Sequence, residues 1–310
     1  MRKRNTMTQQ DKTFITMPSE GTIIPKDAYK GDKGIVHLEI ADGVTEIGQA
    51  AFRGCPALES VVLPDSVVTI GSLAFADCPS LKSIVLSKKL IQINIAAFYG
   101  CVGLEKVAIP ESVKCIGCGA FQECVNLASV ILPDNGVELQ SFAFAKCVSL
   151  TDIVLPPSIT LDPAVFIGCV KLKKTFWGNT LVCWHEAEGD VVVPEDVTRI
   201  CGGAFYECQK LTGIRFSDEI QSIENMTFFG CTQLKRVVIP EGITEIGMEA
   251  FANCTSLSEV DIPDSVTQIS DDAFAGCNNL KRVIVSAIRP IIREIFEDGV
   301  EVQIREGGEH

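Results

Sequence analysis

Apolar positions recur along the chain at a spacing of 23 residues. A phenylalanine followed three residues later by a cysteine stands at ten places, and neighbouring copies are mostly 23 residues apart. The pairs are Phe52/Cys55, Phe75/Cys78, Phe98/Cys101, Phe121/Cys124, Phe144/Cys147, Phe166/Cys169, Phe205/Cys208, Phe228/Cys231, Phe251/Cys254 and Phe274/Cys277. One step is 22 residues and another, from Phe166 to Phe205, is 39. This regularity predicts a repeat protein whose units bury their apolar residues by stacking on one another.

Each unit contains two short extended segments and a turn. Leu58, Val61 and Leu63 are spaced so that a strand would point all three side chains inward. Pro64 ends that strand, because proline cannot donate a hydrogen bond to a sheet. A second extended segment covers 67–70, and the Ala-Phe dipeptide after it opens a short helical or irregular turn. The unit therefore predicts one turn of a coil, with two strands at its sides.

The repeat resembles a known family in its order of residues. The consensus A-F-x-x-C-x-x-L-x-x-V-x-L-P-x-x-V-x-x-I-G, seen at 51–71, resembles the BspA-type leucine-rich repeat of bacterial surface proteins and some protozoa. The resemblance covers about 35–286, and the stretch FWGNTLVCWHEAEGDVVVP is similar to a hairpin insertion that recurs in the family. It implies a right-handed leucine-rich-repeat solenoid, α/β to mainly β, with about ten 23-residue repeats and a long parallel sheet.

The limits of the repeat predict three segments. Residues 1–34 lack the repeat and are predicted to form a flexible N-terminal tail and partial cap. Residues 35–288 are predicted to form the solenoid, with the hairpin insertion near 176–193. Residues 289–310 lose the repeat again and are predicted to cap the C-terminal end, as open solenoid ends require.

Composition excludes several classes of protein. With 46% hydrophobic and 22% charged residues, the 310-residue chain can bury a substantial core. Its formal charge of -13 disfavours nucleic acid as a partner. No apolar stretch is long enough to insert in a membrane, and no apolar segment typical of a signal peptide follows the basic start. We therefore expect a cytoplasmic protein, whereas the family resemblance implies a cell-surface or secreted one.

Ten of the fourteen cysteines form a ladder along the repeat. A small side chain fixed between a phenylalanine and a leucine predicts a buried, reduced thiol that acts as a small apolar group. Stacked disulfides and a metal-thiolate array are the alternatives. Strands lie about 4.7–4.9 Å apart, which a disulfide tolerates. Metal ligands must converge from several directions, and a one-dimensional ladder does not converge.

The other cysteines suggest a second hypothesis for function. Cys115 and Cys118 have the C-x-x-C spacing of redox and zinc sites, and Cys183 stands near His185 in the insertion. These residues would support a cytosolic thiol-based redox or metal-responsive module. The remaining histidines, His37 and His310, are far apart in the sequence. With no phosphate-binding or nucleophile motif in the chain, we predict a protein that is not an enzyme and needs no cofactor or metal.

A column of outward residues is the predicted binding surface. The residue between the inward valine and the second leucine must face outward, and so must the residue just before that valine, by the alternation of a strand. The predicted partner-binding residues on this sheet face are Val62, Val85, Ala108, Ile131, Val154, Phe176, Arg215, Arg236, Asp261 and Arg282. A long apolar stripe at its start favours a non-catalytic protein-interaction scaffold that binds a protein, a peptide or a second copy of itself. The competing explanation is that β-branched residues simply suit strands. The family resemblance implies adhesion as the specific form of binding.

Overall fold

The computed structural model of the protein describes residues 12–15, 22–285, 295–296 and 300–304. The chain divides into two compact units, Met1–Leu172 (unit 1) and Lys173–His310 (unit 2). Each unit is a mainly β leucine-rich-repeat coil with parallel sheets and a 23-residue spacing between most strands. Much of the predicted N-terminal tail and of the predicted C-terminal cap lies outside the described residues.

Unit 1 has strands on two sides of the coil. The long-strand side contains β1 (Lys12–Ile15), β3 (His37–Ile40), β5 (Ser60–Val62), β7 (Ser83–Val85), β9 (Lys106–Ala108) and β11 (Ser129–Ile131). These form two parallel sheets, ordered β1-β3-β5-β7 and β9-β11. The other side is one seven-stranded parallel sheet of two-residue strands. Its strands are β2 (Ile23–Ile24), β4 (Glu46–Ile47), β6 (Thr69–Ile70), β8 (Gln92–Ile93), β10 (Cys115–Ile116), β12 (Glu138–Leu139) and β13 (Thr160–Leu161).

Unit 2 repeats this arrangement after a hairpin. The hairpin strands β14 (Thr175–Trp177) and β15 (Thr180–Cys183) are antiparallel. The long-strand sheet contains β16 (Glu188–Val192), β18 (Lys210–Arg215), β20 (Arg236–Val238), β22 (Glu259–Asp261), β24 (Arg282–Val285) and β25 (Glu301–Ile304), all parallel. The short strands are β17 (Arg199–Ile200), β19 (Ser222–Ile223), β21 (Glu245–Ile246) and β23 (Gln268–Ile269).

Stacked rings form the centre of each core. In unit 1, the rings of Tyr29, Phe52, Phe75, Phe98, Phe121, Phe144 and Phe166 lie face to face with centroids 5.1–5.7 Å apart. In unit 2, Phe205, Phe228, Phe251 and Phe274 stack in the same way at 5.1–5.2 Å. Most of the predicted inward residues of the long strands are also buried, as Leu58, Val61 and Leu63 show, whereas Ile84 and Ile214 are half-buried. A stacked pair contributes about 0.5–1.5 kcal/mol beyond the burial of its area.

Most of the turns that carry a stacked ring place two residues in the left-handed backbone region. In the turn around Phe75 these are Leu73 (φ 59°) and Asp77 (φ 57°). Glycine takes the second of these positions at Gly54 and Gly100, where a positive φ is least costly. The repeat therefore bends sharply at both ends of its Ala-Phe dipeptide.

The 39-residue interval contains a complete extra turn of the coil. Strand β15 is buried and pairs in parallel with β17, so that Leu181 lies beside Ile200. Trp184 then takes the place of the repeat phenylalanine: its backbone N–H donates to the Ala204 carbonyl at 2.7 Å, as that of Phe52 does to Ala74 at 2.8 Å. The Trp184 ring lies 5.9 Å from Phe205, tilted by 36°. The insertion thus supplies the first ring of unit 2.

The ends of the described coil carry further rings. Tyr29, within the predicted tail 1–34, stacks on Phe52 at 5.1 Å. At the other end, within 289–310, the Phe296 ring lies 5.2 Å from that of Phe274, tilted by 46°, and β25 pairs with β24. The predicted boundaries of the three segments stay predictions.

Candidate partner-binding surface

The outward column of unit 1 is apolar and exposed. Val62 and Val85 are directly paired neighbours on β5 and β7, and Ala108 and Ile131 are paired on β9 and β11. Their exposed fractions rise from 41% at Val62 to 64% at Ile131, and Val154 after the last strand reaches 82%. The residues on either side of each in sequence point inward, which is why the column carries no core residues. We call these five residues the apolar column.

Phe176 does not lie in the sheets that carry the apolar column. It belongs to β14, which pairs antiparallel with β15 in unit 2. Its exposed ring lies 5.1 Å from Lys174 Nζ, and the same ammonium is 3.4 Å from the centroid of Trp184. Burial lowers the pKa of Lys174. Within unit 1, the predicted stripe comprises the five residues of the apolar column.

The predicted site residues of unit 2 are charged, although Val192 and Val238, at the strand position of the apolar column, are 60% and 49% exposed. Arg215 is exposed and pairs in the sheet with Val192, whereas Asp261 is half-buried. Arg236 and Arg282 lie on either side of Glu259, with N–O distances of 2.8 and 3.4 Å. Glu259 was not among the predicted site residues, although it stands 23 residues from each arginine. The 23-residue spacing alone places Glu259 between Arg236 and Arg282 on neighbouring strands.

The ladder cysteines are free, buried for the most part, and donate hydrogen bonds. In unit 1, the Sγ atoms of Cys78, Cys101, Cys124, Cys147 and Cys169 each lie 3.1–3.2 Å from the carbonyl oxygen of the phenylalanine one turn earlier. Unit 2 shows the same contact at Cys231, Cys254 and Cys277. Burial raises the pKa of Cys101 to about 12. The structure thus gives these thiols a donor role that the sequence did not suggest.

The cysteines of the thiol hypothesis lie in different units. Cys115 and Cys118 are half-buried in unit 1, and burial raises the pKa of Cys115. Cys183 is buried in unit 2 and donates to the Lys173 carbonyl at 3.4 Å. Over the described ranges, no group of three or more His, Cys, Asp or Glu is placed to hold a metal ion. His37 contacts Ser60 Oγ at 2.9 Å, and His310 lies outside the described residues.

Comparisons with known proteins agree with this architecture. The model of the BspA type leucine rich repeat region, in six copies, matches residues 4–111, 91–183 and 183–302. The chain belongs to this family. Among the described residues of this BspA-type protein, no helix is both long and apolar enough to cross a membrane.

Several solved structures resemble this BspA-type protein over nearly its whole length. A leucine rich cell surface protein from Faecalibacterium prausnitzii A2-165 is 28% identical, with 96% of this chain and 91% of that chain covered and a TM-score of 0.66. A leucine-rich repeat protein from Bacteroides ovatus ATCC 8483 is 26% identical, with 98% of both chains covered and a TM-score of 0.56. The pneumococcal vaccine antigen PcpA, 16% identical over 97% of this chain and 96% of its own, is similar in fold, with a TM-score of 0.60. No curated protein matches the chain.

Proposed function

We propose that this protein is a non-catalytic protein-interaction scaffold that binds a protein or peptide partner on the apolar column of unit 1. The observation that carries this proposal is the unbroken run of exposed apolar side chains from Val62 to Val154. Exposed apolar stripes of this kind often mark partner surfaces in soluble proteins.

The backbone under the apolar column favours binding with little loss of entropy. Val62, Val85 and Ile131 are β-branched, so few rotamers are lost when a partner covers them. Their strands are fixed by parallel hydrogen bonding to neighbouring turns. A partner with a matching apolar ridge would therefore gain burial on a surface that is already ordered.

The family supports a location for this interaction. The similar protein from Faecalibacterium prausnitzii is named a cell surface protein. By that likeness, we propose that this protein acts at the cell surface, where the scaffold would serve adhesion to a protein on another cell or on a host.

A paired capture experiment tests the apolar column. The variant Ile131→Lys with Val154→Lys places two charges on it. The matched control, Ile91→Lys with Ile95→Lys, makes the same change at two other exposed apolar residues, 52% and 55% exposed, beside the short strand β8. Each protein is immobilised, and bound proteins are quantified by mass spectrometry. We expect a set of partners that wild type and the control retain and that the column variant loses.

The result also separates self-association from other partners. If the partner is a second copy, light scattering will show a larger mass for wild type and the control than for the column variant. Capture that is equal for all three proteins, with no difference in mass, would remove the basis of the proposed function.

A further inference from the structure

The turns of unit 2 carry mostly negative charge. We call the residues 180–187, 199–208, 222–231, 245–254 and 268–277 the acidic turn face; they comprise the short strands and the ring-bearing turns that follow them. Their carboxylates are Glu186, Glu207, Glu224, Glu245, Glu249, Asp271 and Asp272. Arg199 is the only arginine or lysine in these segments, and it pairs with Glu224 at 2.7 Å.

This charge is not a property of the repeat itself. The corresponding turns of unit 1 contain both signs, with Arg53 paired to Asp77 at 3.1 Å and Lys146 to Glu123 at 3.4 Å. The acidic turn face of unit 2 is therefore a local feature of that unit.

An apolar ledge lies within the acidic turn face. The rings of Tyr206 and Phe229, both half-buried, stack with centroids 5.1 Å apart and planes 6° from parallel. Beside them, the backbone N–H of Phe229 donates to the Met226 carbonyl at 3.2 Å, and that of Met226 donates to the Met248 carbonyl at 2.8 Å. The Met248 side chain is 51% exposed. These four residues, Tyr206, Met226, Phe229 and Met248, are the apolar ledge.

One face of the Phe229 ring has no ring stacked on it among the described residues. Tyr206 covers the other face, and the next two turns of the coil carry Ala252 and Ala275 at the equivalent position. Ala252 is itself buried, so a partner can reach only the solvent side of the half-buried Phe229 ring. A guanidinium group from a partner could lie against that side of the ring.

Carboxylates lie next to this ledge. Burial raises the pKa of Tyr206, and the negative charges of Glu207 and Glu249 raise it further. On the other side, His185 Nδ1 lies 3.3 Å from the Tyr206 carbonyl oxygen. His185 also lines a cavity of about 220 Å³ together with Glu186, Ala187, Glu188, Gln209 and Lys210. Apolar surface and acceptors for positive charge are therefore adjacent.

We propose that the apolar ledge and the carboxylates around it bind a positively charged, amphipathic polypeptide segment. Its apolar side chains lie on the ledge, and its arginines or lysines meet the carboxylates of the acidic turn face. Arginine suits the site better than lysine, because its planar group can both stack on Phe229 and pair with a carboxylate. This site is separate from the apolar column, so the inference goes beyond the proposed function.

Fluorescence anisotropy with three labelled peptides tests the proposal. An extended segment of about five residues spans four turns of the coil, so peptides of about ten residues are long enough. The first peptide alternates arginine with leucine, the second arginine with serine, and the third glutamate with leucine. We expect the arginine-leucine peptide to bind about tenfold more tightly than the arginine-serine peptide, and the glutamate-leucine peptide not to bind. Added salt should weaken binding of the first peptide.

Two pairs of variants locate the site. Phe229→Ala should weaken binding of the arginine-leucine peptide about tenfold, and Tyr99→Ala, at the equivalent position in unit 1, should leave it unchanged. Glu207→Gln with Glu249→Gln should weaken binding by a similar factor. Glu105→Gln with Glu111→Gln, which removes the same charge from exposed positions of unit 1, should not.

The outcomes decide the proposal clearly. If the two glutamate pairs weaken peptide binding equally, only the net charge of the protein matters. If the glutamate-leucine peptide binds as tightly as the arginine-leucine peptide, the site does not recognise positive charge. Either result overturns the proposal. If thermal melting shows that Phe229→Ala does not fold, the glutamate pairs, which keep both rings, decide alone. The Ile131→Lys with Val154→Lys variant should bind the peptide as wild type does, so this site and the apolar column can fail independently.

Discussion

The Sγ atom of Cys101 lies 3.1 Å from the carbonyl oxygen of Phe75, one turn of the coil earlier. Both groups are buried, and no other hydrogen bond reaches the Phe75 carbonyl among the described residues. A buried carbonyl without a donor costs free energy, so the thiol does more than fill space. The same contact recurs along the ladder, which makes the cysteine of each repeat a link between neighbouring turns.

Substitution of Cys101 distinguishes a donor from a small apolar group. Cys101→Ala leaves the Phe75 carbonyl without a donor and should lower the free energy of unfolding by about 1–3 kcal/mol. Cys101→Ser keeps a donor at the same position and should cost less than alanine. Chemical denaturation of the three proteins measures both values. If serine is the more destabilising of the two, the thiol acts only as a small apolar side chain.

The buried thiols also predict how stability depends on alkaline pH. Burial raises the pKa of Cys101 and of Cys201 to about 12 from the ordinary value of 9.0. Above pH 9.0 the unfolded chain loses these protons and the folded chain keeps them, so the unfolded state is increasingly favoured. The free energy of unfolding should therefore fall as the pH rises from about 9 to about 12 and show no contribution from these thiols below that window.

Guanidinium unfolding at pH values from about 8 to about 11 measures this dependence. Cys201→Ala removes one titrating thiol and should make the decline shallower, by at most about 1.4 kcal/mol per pH unit. A variant with the same slope as wild type would show that Cys201 titrates alike in both states.

Trp184 should stabilise unit 2 as its first ring. Trp184→Ala removes the ring beside Phe205 and the contact with Lys174, and should cost about 2–4 kcal/mol. Trp184→Phe keeps an aromatic ring in the stack of rings and should lower the free energy of unfolding clearly less. The control, Trp177→Ala on the hairpin strand β14, changes a tryptophan outside the stack of rings. It should lower the stability less than Trp184→Ala does. Thermal unfolding followed by circular dichroism compares the three.

Neighbouring residues on β11 should respond in opposite ways to the same change. Ile131→Lys adds a charge at an exposed position and should alter stability by no more than about 0.5 kcal/mol. Val130→Lys buries that charge in the core and should prevent folding or cost more than about 4 kcal/mol. Equal effects at the two positions would contradict the orientation of the strand, on which the proposed binding surface depends.

The sequence predicted most of the fold because one unit is repeated. Phe75 and Cys78 read alone suggest little, but ten copies at one spacing define the turn, the strand and the inward face together. The outward residues follow from strand alternation, and Ile131 is exposed as that rule requires. The hydrogen bond of each thiol could not be predicted, because it depends on the distance between successive turns and not on the residue type.

The insertion was harder to interpret for a different reason. Trp184 and Ala187 have the spacing of the repeat phenylalanine and cysteine, but neither matches the consensus residue. A search by volume and aromatic character, and not by identity, would have aligned them with Phe205 and Cys208. The apolar ledge was missed because Tyr206 and Phe229 each follow a repeat phenylalanine, whose regular spacing dominates the pattern. Their contact with each other joins two neighbouring turns and is not visible within one repeat.

The stack of face-to-face rings in unit 1 also has a mechanical consequence. Every interior ring, such as Phe98, has two neighbours at nearly equal distances, whereas Tyr29 has one among the described residues. Tension applied along the chain is therefore expected to release the N-terminal turn of unit 1 before the interior turns, because that turn resists with half the ring contacts of an interior one. Each step frees 23 residues of chain, about 75–80 Å when extended. Unit 1 is therefore expected to lengthen under load one turn at a time.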